Sequence, residues 1–121
     1  MITSSFFRFS GPGGISIAKW VPRSVVVEQS FPLLAPFSTM MNLSFNLYAA
    51  QYDLILKTLD PRKVWDELHV LAGGHEPVLL CWEKPPLTDD NFCHRRLAAA
   101  WLERHIGVTI PESSTNQGVL F

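Results

Sequence analysis

Apolar residues recur at helical spacing in the second half of the chain. Four apolar residues are spaced at intervals of four, three and four positions, which places them on one face of a predicted helix: Tyr48, Tyr52, Ile55 and Leu59. A second helix is predicted to begin at Asp60–Pro61, because Asp caps helices well and Pro suits the first helical position. It is predicted to end at Gly73–Gly74. A third helix is predicted from about Phe92 to Ile106, with Gly107 ending it.

Strand signals are shorter than the helical ones. The segment Pro77–Trp82 contains four consecutive apolar residues without alternation, which is typical of a strand buried on both faces in a parallel sheet. Ile2–Phe9 and Ile15–Trp20 are also predicted as strands, separated by a glycine-rich turn. Val25–Val27 is either a third strand or part of a loop, and Val108–Ile110 is a candidate closing strand.

Helices between strands predict an α/β fold with a small, mainly parallel sheet flanked by about three helices. The N-terminal third is expected to be irregular and rich in Pro and Gly, since four of the nine prolines fall between residues 12 and 36. The pattern assigns no role to residues 21–42. We expect a single domain over residues 1–111 and a loose C-terminal tail over residues 112–121.

Composition narrows the class of protein. The chain has 121 residues, of which 47% are hydrophobic and 17% charged, and this argues against intrinsic disorder. A formal net charge of -1 lacks the basic footprint of a nucleic-acid-binding protein. No apolar run approaches the roughly 20 residues of a membrane span, and the N-terminus lacks a signal-peptide layout. Two cysteines cannot build a disulfide framework, so we expect a soluble cytoplasmic protein with reduced thiols.

Candidate chemistry concentrates after the predicted buried strand. Ligands bind open α/β sheets beyond the carboxyl ends of the strands. Cys81 and Glu83 lie at that end, and Cys93, His94 and Arg95 open the third helix. Both groups are therefore predicted to meet at one sheet edge. Two serines of the first strand join them if that strand is parallel and adjacent, namely Ser4 and Ser5.

Each candidate has a predicted role and a structural alternative. A helix N-terminus lowers the pKa of a thiol, so Cys93 is the candidate nucleophile, whereas Cys81 in an apolar strand favours a neutral thiol. Glu83 is the candidate acid–base group and Arg95 the candidate anion clamp, although an ion pair between these two is the alternative. His94 is either an orienting or proton-carrying residue or a core histidine bonded to a carbonyl, because adjacent helical residues do not face each other. Arg96 is expected on the solvated surface.

Two motifs, which follow each other along the chain, carry a family resemblance. Leu79–Lys84 contains Cys-Trp-Glu, and Phe92–Leu97 contains Cys-His-Arg, a CHR motif. Together with Thr3–Phe7 and Gly13–Ile17, these segments resemble the domain of unknown function 488 family. The resemblance implies a small α/β protein with a Cys-x-Glu strand end and a Cys-His-Arg helix start. It implies no established reaction.

Three function classes follow from these residues. The first is a cysteine-dependent enzyme that binds a small anionic ligand, such as a nucleotide or a phosphorylated or carboxylated metabolite. The second is a non-catalytic module that binds nucleic acid or protein, and near-neutral charge weakens its nucleic-acid form. The third is a zinc domain with Cys81, Glu83, Cys93 and His94 as conceivable ligands. The eleven residues between the two cysteines are not a usual knuckle spacing, so no metal is predicted. No P-loop, dinucleotide or Gly-x-Ser-x-Gly motif occurs, so no cofactor is predicted either. The pattern predicts no particular oligomeric state.

Overall fold

A computed structural model of the chain describes residues 1–83, 87–88 and 91–113. Within these ranges four strands form one sheet: β1 (Ile2–Ser5), β2 (Gly14–Ser16), β3 (Gln29–Ser30) and β4 (Val78–Cys81). Three α-helices accompany it: α1 (Phe45–Lys57), α2 (Pro61–Ala72) and α3 (His94–Ile106). Short 3-10 helices at Pro32–Leu34 and Ser38–Met40 interrupt the irregular connection before α1. The predicted α/β fold is confirmed.

The sheet is parallel throughout, in the order β1-β4-β2-β3. All four residues of β4 are buried because it lies between β1 and β2, which explains the apolar run without alternation. Ser5 lies opposite Cys81, and Ser16 lies opposite Leu80. The carboxyl ends of these three strands therefore share one edge of the sheet.

The two faces of the sheet are covered differently. Leu79 and Ile15 pack into the main core with the three helices, whereas Val78 and Leu80 pack on the opposite side with Phe6. Side chains alternate along a strand, so Cys81 shares the helix-facing side with Leu79. The last residue of β4 therefore points its sulfur toward the helical layer, where α3 begins.

Several predicted boundaries are corrected by the structure. The first strand ends at Ser5 because the backbone turns there, with the N–H groups of Arg8 and Phe9 donating to the Ser5 carbonyl. The third strand is Gln29–Ser30 rather than Val25–Val27. Val108–Ile110 forms no strand, since the chain first pairs with β1 in a single bridge between Thr3 and Glu112.

The domain also continues past residue 111. The Ser113 N–H donates to the Thr3 carbonyl at 2.8 Å, and the Thr3 N–H donates to the Pro111 carbonyl at 3.0 Å. Ser113 is buried. The first two residues of the predicted loose tail therefore belong to the folded domain, next to β1, and the rest of that tail lies outside the described residues.

None of the helices in the described part of the chain is long and apolar enough to cross a bilayer.

The predicted cap of α2 is confirmed and gives a stability prediction. The Asp60 carboxylate accepts hydrogen bonds from the N–H groups of Arg62 at 3.0 Å and Lys63 at 3.4 Å. Asp60→Ala removes the oxygen that accepts both hydrogen bonds and is expected to lower the free energy of unfolding by about 1 kcal/mol in urea denaturation. Ser44 occupies the N-cap position of α1, but its side chain makes no capping hydrogen bond. Ser44→Ala is therefore the matched control and should lower the free energy of unfolding by only about a few tenths of a kcal/mol. Equal losses of stability in the two variants would contradict the assignment of Asp60 as the residue that caps α2.

Candidate functional site

The two cysteines meet where β4 ends and α3 begins. Cys81 is the last residue of β4, Cys93 is the N-cap residue of α3, and a disulfide joins them across twelve positions of sequence. The predicted meeting of strand end and helix start is therefore confirmed. The expectation of two reduced thiols is not met in this structure, because the fold brings both sulfurs to one point.

His94 contacts this pair directly. Its Nδ1 atom lies 3.8 Å from the Cys93 sulfur, and its Nε2–H donates to the Ile17 carbonyl at 2.6 Å. The expectation that adjacent residues cannot face each other is wrong here, because Cys93 has an extended backbone (φ -138°, ψ 141°) and is not yet helical. His94 is therefore a core histidine bonded to a carbonyl, and the Nδ1 atom of the same ring lies beside the Cys93 sulfur.

Burial fixes the charge state of this histidine. The pKa of His94 is lowered to about 4, mainly by burial; the hydrogen bond to the Ile17 carbonyl opposes this decrease, and the neighbouring Arg95 charge adds to it. The ring is consequently neutral at neutral pH. Since a carbonyl can only accept, the proton sits on Nε2 and the Nδ1 lone pair faces the cysteines.

Arg95 is fully buried and has different partners from those predicted. Its Nε and Nη2 atoms donate to the two Glu112 carboxylate oxygens at 2.9 and 2.7 Å, and its Nη1 donates to the Cys81 sulfur at 3.2 Å. The expected ion pair with Glu83 is wrong, and so is the role of anion clamp, because the guanidinium is sealed from solvent and occupied. Cys81 therefore has a positive neighbour rather than the purely apolar surroundings predicted for it.

Arg96 is also structural rather than surface-solvated. It is half-buried, and its Nη1 donates to the Thr3 hydroxyl and the Ile110 carbonyl, both at 2.9 Å. Thr3 in turn donates its hydroxyl to Glu112 at 2.6 Å. The two arginines thus fasten α3 to β1 and to the segment that ends at Glu112.

A cavity of about 550 Å³ opens beside the cysteine pair. Glu83 lines it together with apolar and aromatic walls. The lining residues that the structure describes are Ala18, Lys19, Trp20, Pro36, Met41, Asn42, Leu43, Tyr48, Cys81, Trp82, Glu83, Asn91, Phe92, Cys93 and His94. The Trp82 indole N–H donates to the Trp20 carbonyl at 2.7 Å and closes one wall. Burial, together with the Glu83 charge, raises the pKa of Tyr48 above its ordinary value, so its hydroxyl stays neutral.

The predicted serines lie near this site but outside the cavity. β1 is parallel and adjacent to β4, as the prediction required. Both Ser4 and Ser5 are buried, neither lines the cavity, and neither hydroxyl has a hydrogen-bond partner among the residues that the structure describes. They flank β4 without reaching the space that a ligand would occupy.

Sequence reasoning missed Glu112 and the polar surroundings of Cys81. Cys81 was placed at this edge of the sheet, but in an apolar strand that favours a neutral thiol, and neither its disulfide nor the Arg95 N–H beside it was predicted. Glu112 fell into the predicted tail; the signal for it was an acidic residue directly after Val-Thr-Ile-Pro, a segment of strand-like composition that the structure brings to β1.

In comparisons with known proteins, no family model, curated protein or solved structure matches this chain.

Proposed function

We propose that this chain is a cysteine-dependent enzyme of the thiol–disulfide exchange class, acting on small thiols and disulfides in the cavity beside β4 and α3. The observation that carries the proposal is the Cys81–Cys93 disulfide in the wall of a cavity of about 550 Å³. A cavity of this size suits a small molecule. Membership of the domain of unknown function 488 family is a separate proposal, and that family implies no particular reaction.

The direction of exchange follows from the partners of each sulfur. The Arg95 guanidinium donates to Cys81, so a negative charge on that sulfur is stabilised. A disulfide breaks faster when the departing sulfur is the better thiolate. An entering thiolate therefore bonds to the Cys93 sulfur, the bond between the two cysteines breaks, and its electron pair leaves on Cys81.

A second thiol completes the reaction. It attacks the mixed disulfide, releases the substrate as a disulfide, and leaves both protein cysteines reduced. Two electrons and two protons pass in total from two substrate thiols to the protein disulfide, which becomes a dithiol. In the reverse direction Cys93 is the nucleophile toward a substrate disulfide, and Cys81 then displaces the bound half. A disulfide substrate thus reoxidises the protein.

Neighbouring residues have supporting roles in this scheme. The neutral Nδ1 of His94 accepts from the Cys93 thiol and orients it. Among the described residues of the cavity wall, Glu83 supplies the carboxylate, and it is the proposed acceptor for the proton of an entering thiol. A reducing cytoplasm, the location that we propose, would return the pair to its dithiol form.

The cavity walls favour a mostly apolar ligand with one negative charge. Trp20, Trp82 and Phe92 supply aromatic surface. Lys19 is the single lysine or arginine among the described lining residues, and its Nζ lies 5.6 Å from the Trp20 ring centroid. We therefore assign the anionic ligand expected from the sequence to a small carboxylated thiol, with Lys19 rather than Arg95 meeting the carboxylate.

Single-cysteine variants test the assignment of the two sulfurs. Reduced Cys81→Ser, incubated metal-free with 3,3′-dithiodipropionate, should form a stable adduct on Cys93, counted by intact mass spectrometry. Cys93→Ser should form its adduct about tenfold more slowly, because the proton acceptor of the pair, the Nδ1 atom of His94, lies 3.8 Å from the Cys93 sulfur. Reduced wild type should pass through the adduct and end as the protein disulfide with two released thiols.

Urea-unfolded variants are the control, since both cysteines should then react at similar rates. Equal or faster labelling of Cys81 in the folded variants would contradict the nucleophile assignment. The non-catalytic binding module makes a different prediction: wild type would keep the adduct or fail to react, because no resolving step would occur.

A further inference from the structure

The site has a second chemical capacity when its cysteines are reduced. The ligand atoms of Cys81, Cys93 and His94 all lie within 4.8 Å of one another, and all three residues are buried. We propose that the reduced protein binds one Zn²⁺ through the two thiolates and the Nδ1 atom of His94, with the fourth coordination position open to the cavity. This inference goes beyond the exchange reaction and does not require it.

The histidine is already oriented as a metal ligand. Metal-binding histidines usually donate their other ring N–H to a carbonyl or carboxylate, which fixes the tautomer and aims the free nitrogen. The Nε2–H of His94 has such a partner in the Ile17 carbonyl at 2.6 Å, and Nδ1 lies 3.8 Å from the Cys93 sulfur. That separation suits two ligands of one tetrahedral zinc ion, given bond lengths of about 2.0–2.3 Å.

The backbone spacing leaves room for an ion between the sulfurs. The Cα atoms of Cys81 and Cys93 are 7.1 Å apart. Most disulfides have Cα separations of about 4.4–6.8 Å. When the bond is reduced, the thiolates can separate by side-chain rotation alone, while β4 and α3 keep their places.

Charge and surroundings favour a soft divalent cation. Two thiolates neutralise Zn²⁺, and the Arg95 N–H supports the Cys81 sulfur at 3.2 Å while Glu112 balances the guanidinium charge. Two sulfurs and one imidazole form a ligand set that selects zinc over magnesium or calcium. Three protein ligands beside an open cavity are typical of an exchangeable fourth position rather than of a closed structural site.

Zinc and the disulfide exclude each other, because both use the same two sulfurs. A disulfide compound that oxidises the zinc-bound pair gives the protein disulfide, two free thiolates and one released Zn²⁺. The cluster would therefore hold zinc only under reducing conditions.

Cobalt substitution tests the site in the full-length chain. Reduced protein, prepared free of metal, is titrated with Co²⁺; we expect one equivalent to produce a sulfur-to-cobalt charge-transfer band and tetrahedral visible bands, both abolished by one equivalent of Zn²⁺. Cys81→Ser and Cys93→Ser should each weaken Zn²⁺ binding at least 100-fold. His94→Gln should weaken it at least tenfold and change the visible bands, whereas the exposed His75→Gln should match wild type.

Every outcome of this titration is decisive. If a colorimetric assay finds two free thiols in the reduced protein but Co²⁺ produces no charge-transfer band, the proposed site is wrong. A wild-type cobalt spectrum in either cysteine variant would also contradict it. An unchanged spectrum in His94→Gln would show that His94 is not a ligand, and this result would contradict the proposed three-residue site. Circular dichroism checks that each variant is folded, and the oxidised wild type should give no band. The exchange assay is run with a chelator, so its failure and the failure of zinc binding are distinguishable.

Discussion

Replacing Glu112 by glutamine is expected to lower the free energy of unfolding by about 3 kcal/mol, a large effect for one residue in a supposed tail. The substitution keeps the shape of the side chain but leaves the Arg95 guanidinium buried without a counter-charge. Breaking a buried ion pair costs about 3–5 kcal/mol, and the lower end applies because the Glu112 side chain is 21% exposed. Urea denaturation in excess reductant measures the loss without a contribution from the disulfide.

A double variant separates charge burial from packing. Removing both charges in Arg95→Met with Glu112→Leu leaves no unpaired ion, so most of the lost stability should return. The same variant lacks the N–H that supports the Cys81 sulfur, and resolution of the mixed disulfide should slow about tenfold, since a hydrogen bond to a charged group contributes about 1.5–3 kcal/mol. A loss below about 1 kcal/mol in Glu112→Gln would contradict the structural role of the pair.

The parts that the sequence predicts well are those determined by neighbours along the chain. The cap of α2 needs only Asp60 and the next three residues, and the burial of β4 is readable in its own run of apolar side chains. The meeting of Cys81 and Cys93 was predictable because parallel strands end at one edge and the next helix starts there. These features depend on local pattern and on a general rule of α/β topology.

The partners within the site were not predictable in this way. Arg95 and Glu112 are separated by 17 positions. The strand-like residues Val108–Ile110 indicate that the chain returns to the sheet, but they identify neither β1 as the neighbour nor Glu112 as the partner of Arg95. The contact between His94 and the Cys93 sulfur depends on the extended backbone at Cys93, which a helical reading of the segment excludes. Zinc was considered from the sequence and set aside for a related reason, because knuckle spacing describes one short loop, whereas a strand and a helix supply the ligands of the proposed site.

Gly13→Ala is expected to have a still larger effect on stability, about 4 kcal/mol or more. Gly13 has a positive φ of 91°, and a Cβ atom there would overlap the backbone carbonyl oxygen of Glu76. Neither backbone segment can withdraw, because the Gly13 carbonyl accepts from the Val78 N–H at 2.8 Å and so fixes the start of β4. The strained φ costs about 1–3 kcal/mol and the overlap adds a similar amount.

Gly74→Ala is a matched control for the backbone part of this cost. Gly74 has the same φ of 91°, and a Cβ atom there would meet nothing within 4 Å. Both variants bear the conformational cost and only Gly13→Ala bears the overlap, so their difference in urea denaturation should be about 2 kcal/mol. A Gly13→Ala protein too unstable to purify, beside a Gly74→Ala protein that purifies normally, agrees with this expectation. Equal losses in the two variants would mean that β4 can shift away from Gly13, and the position of Cys81 at the end of β4 would then be adjustable rather than fixed by the sheet.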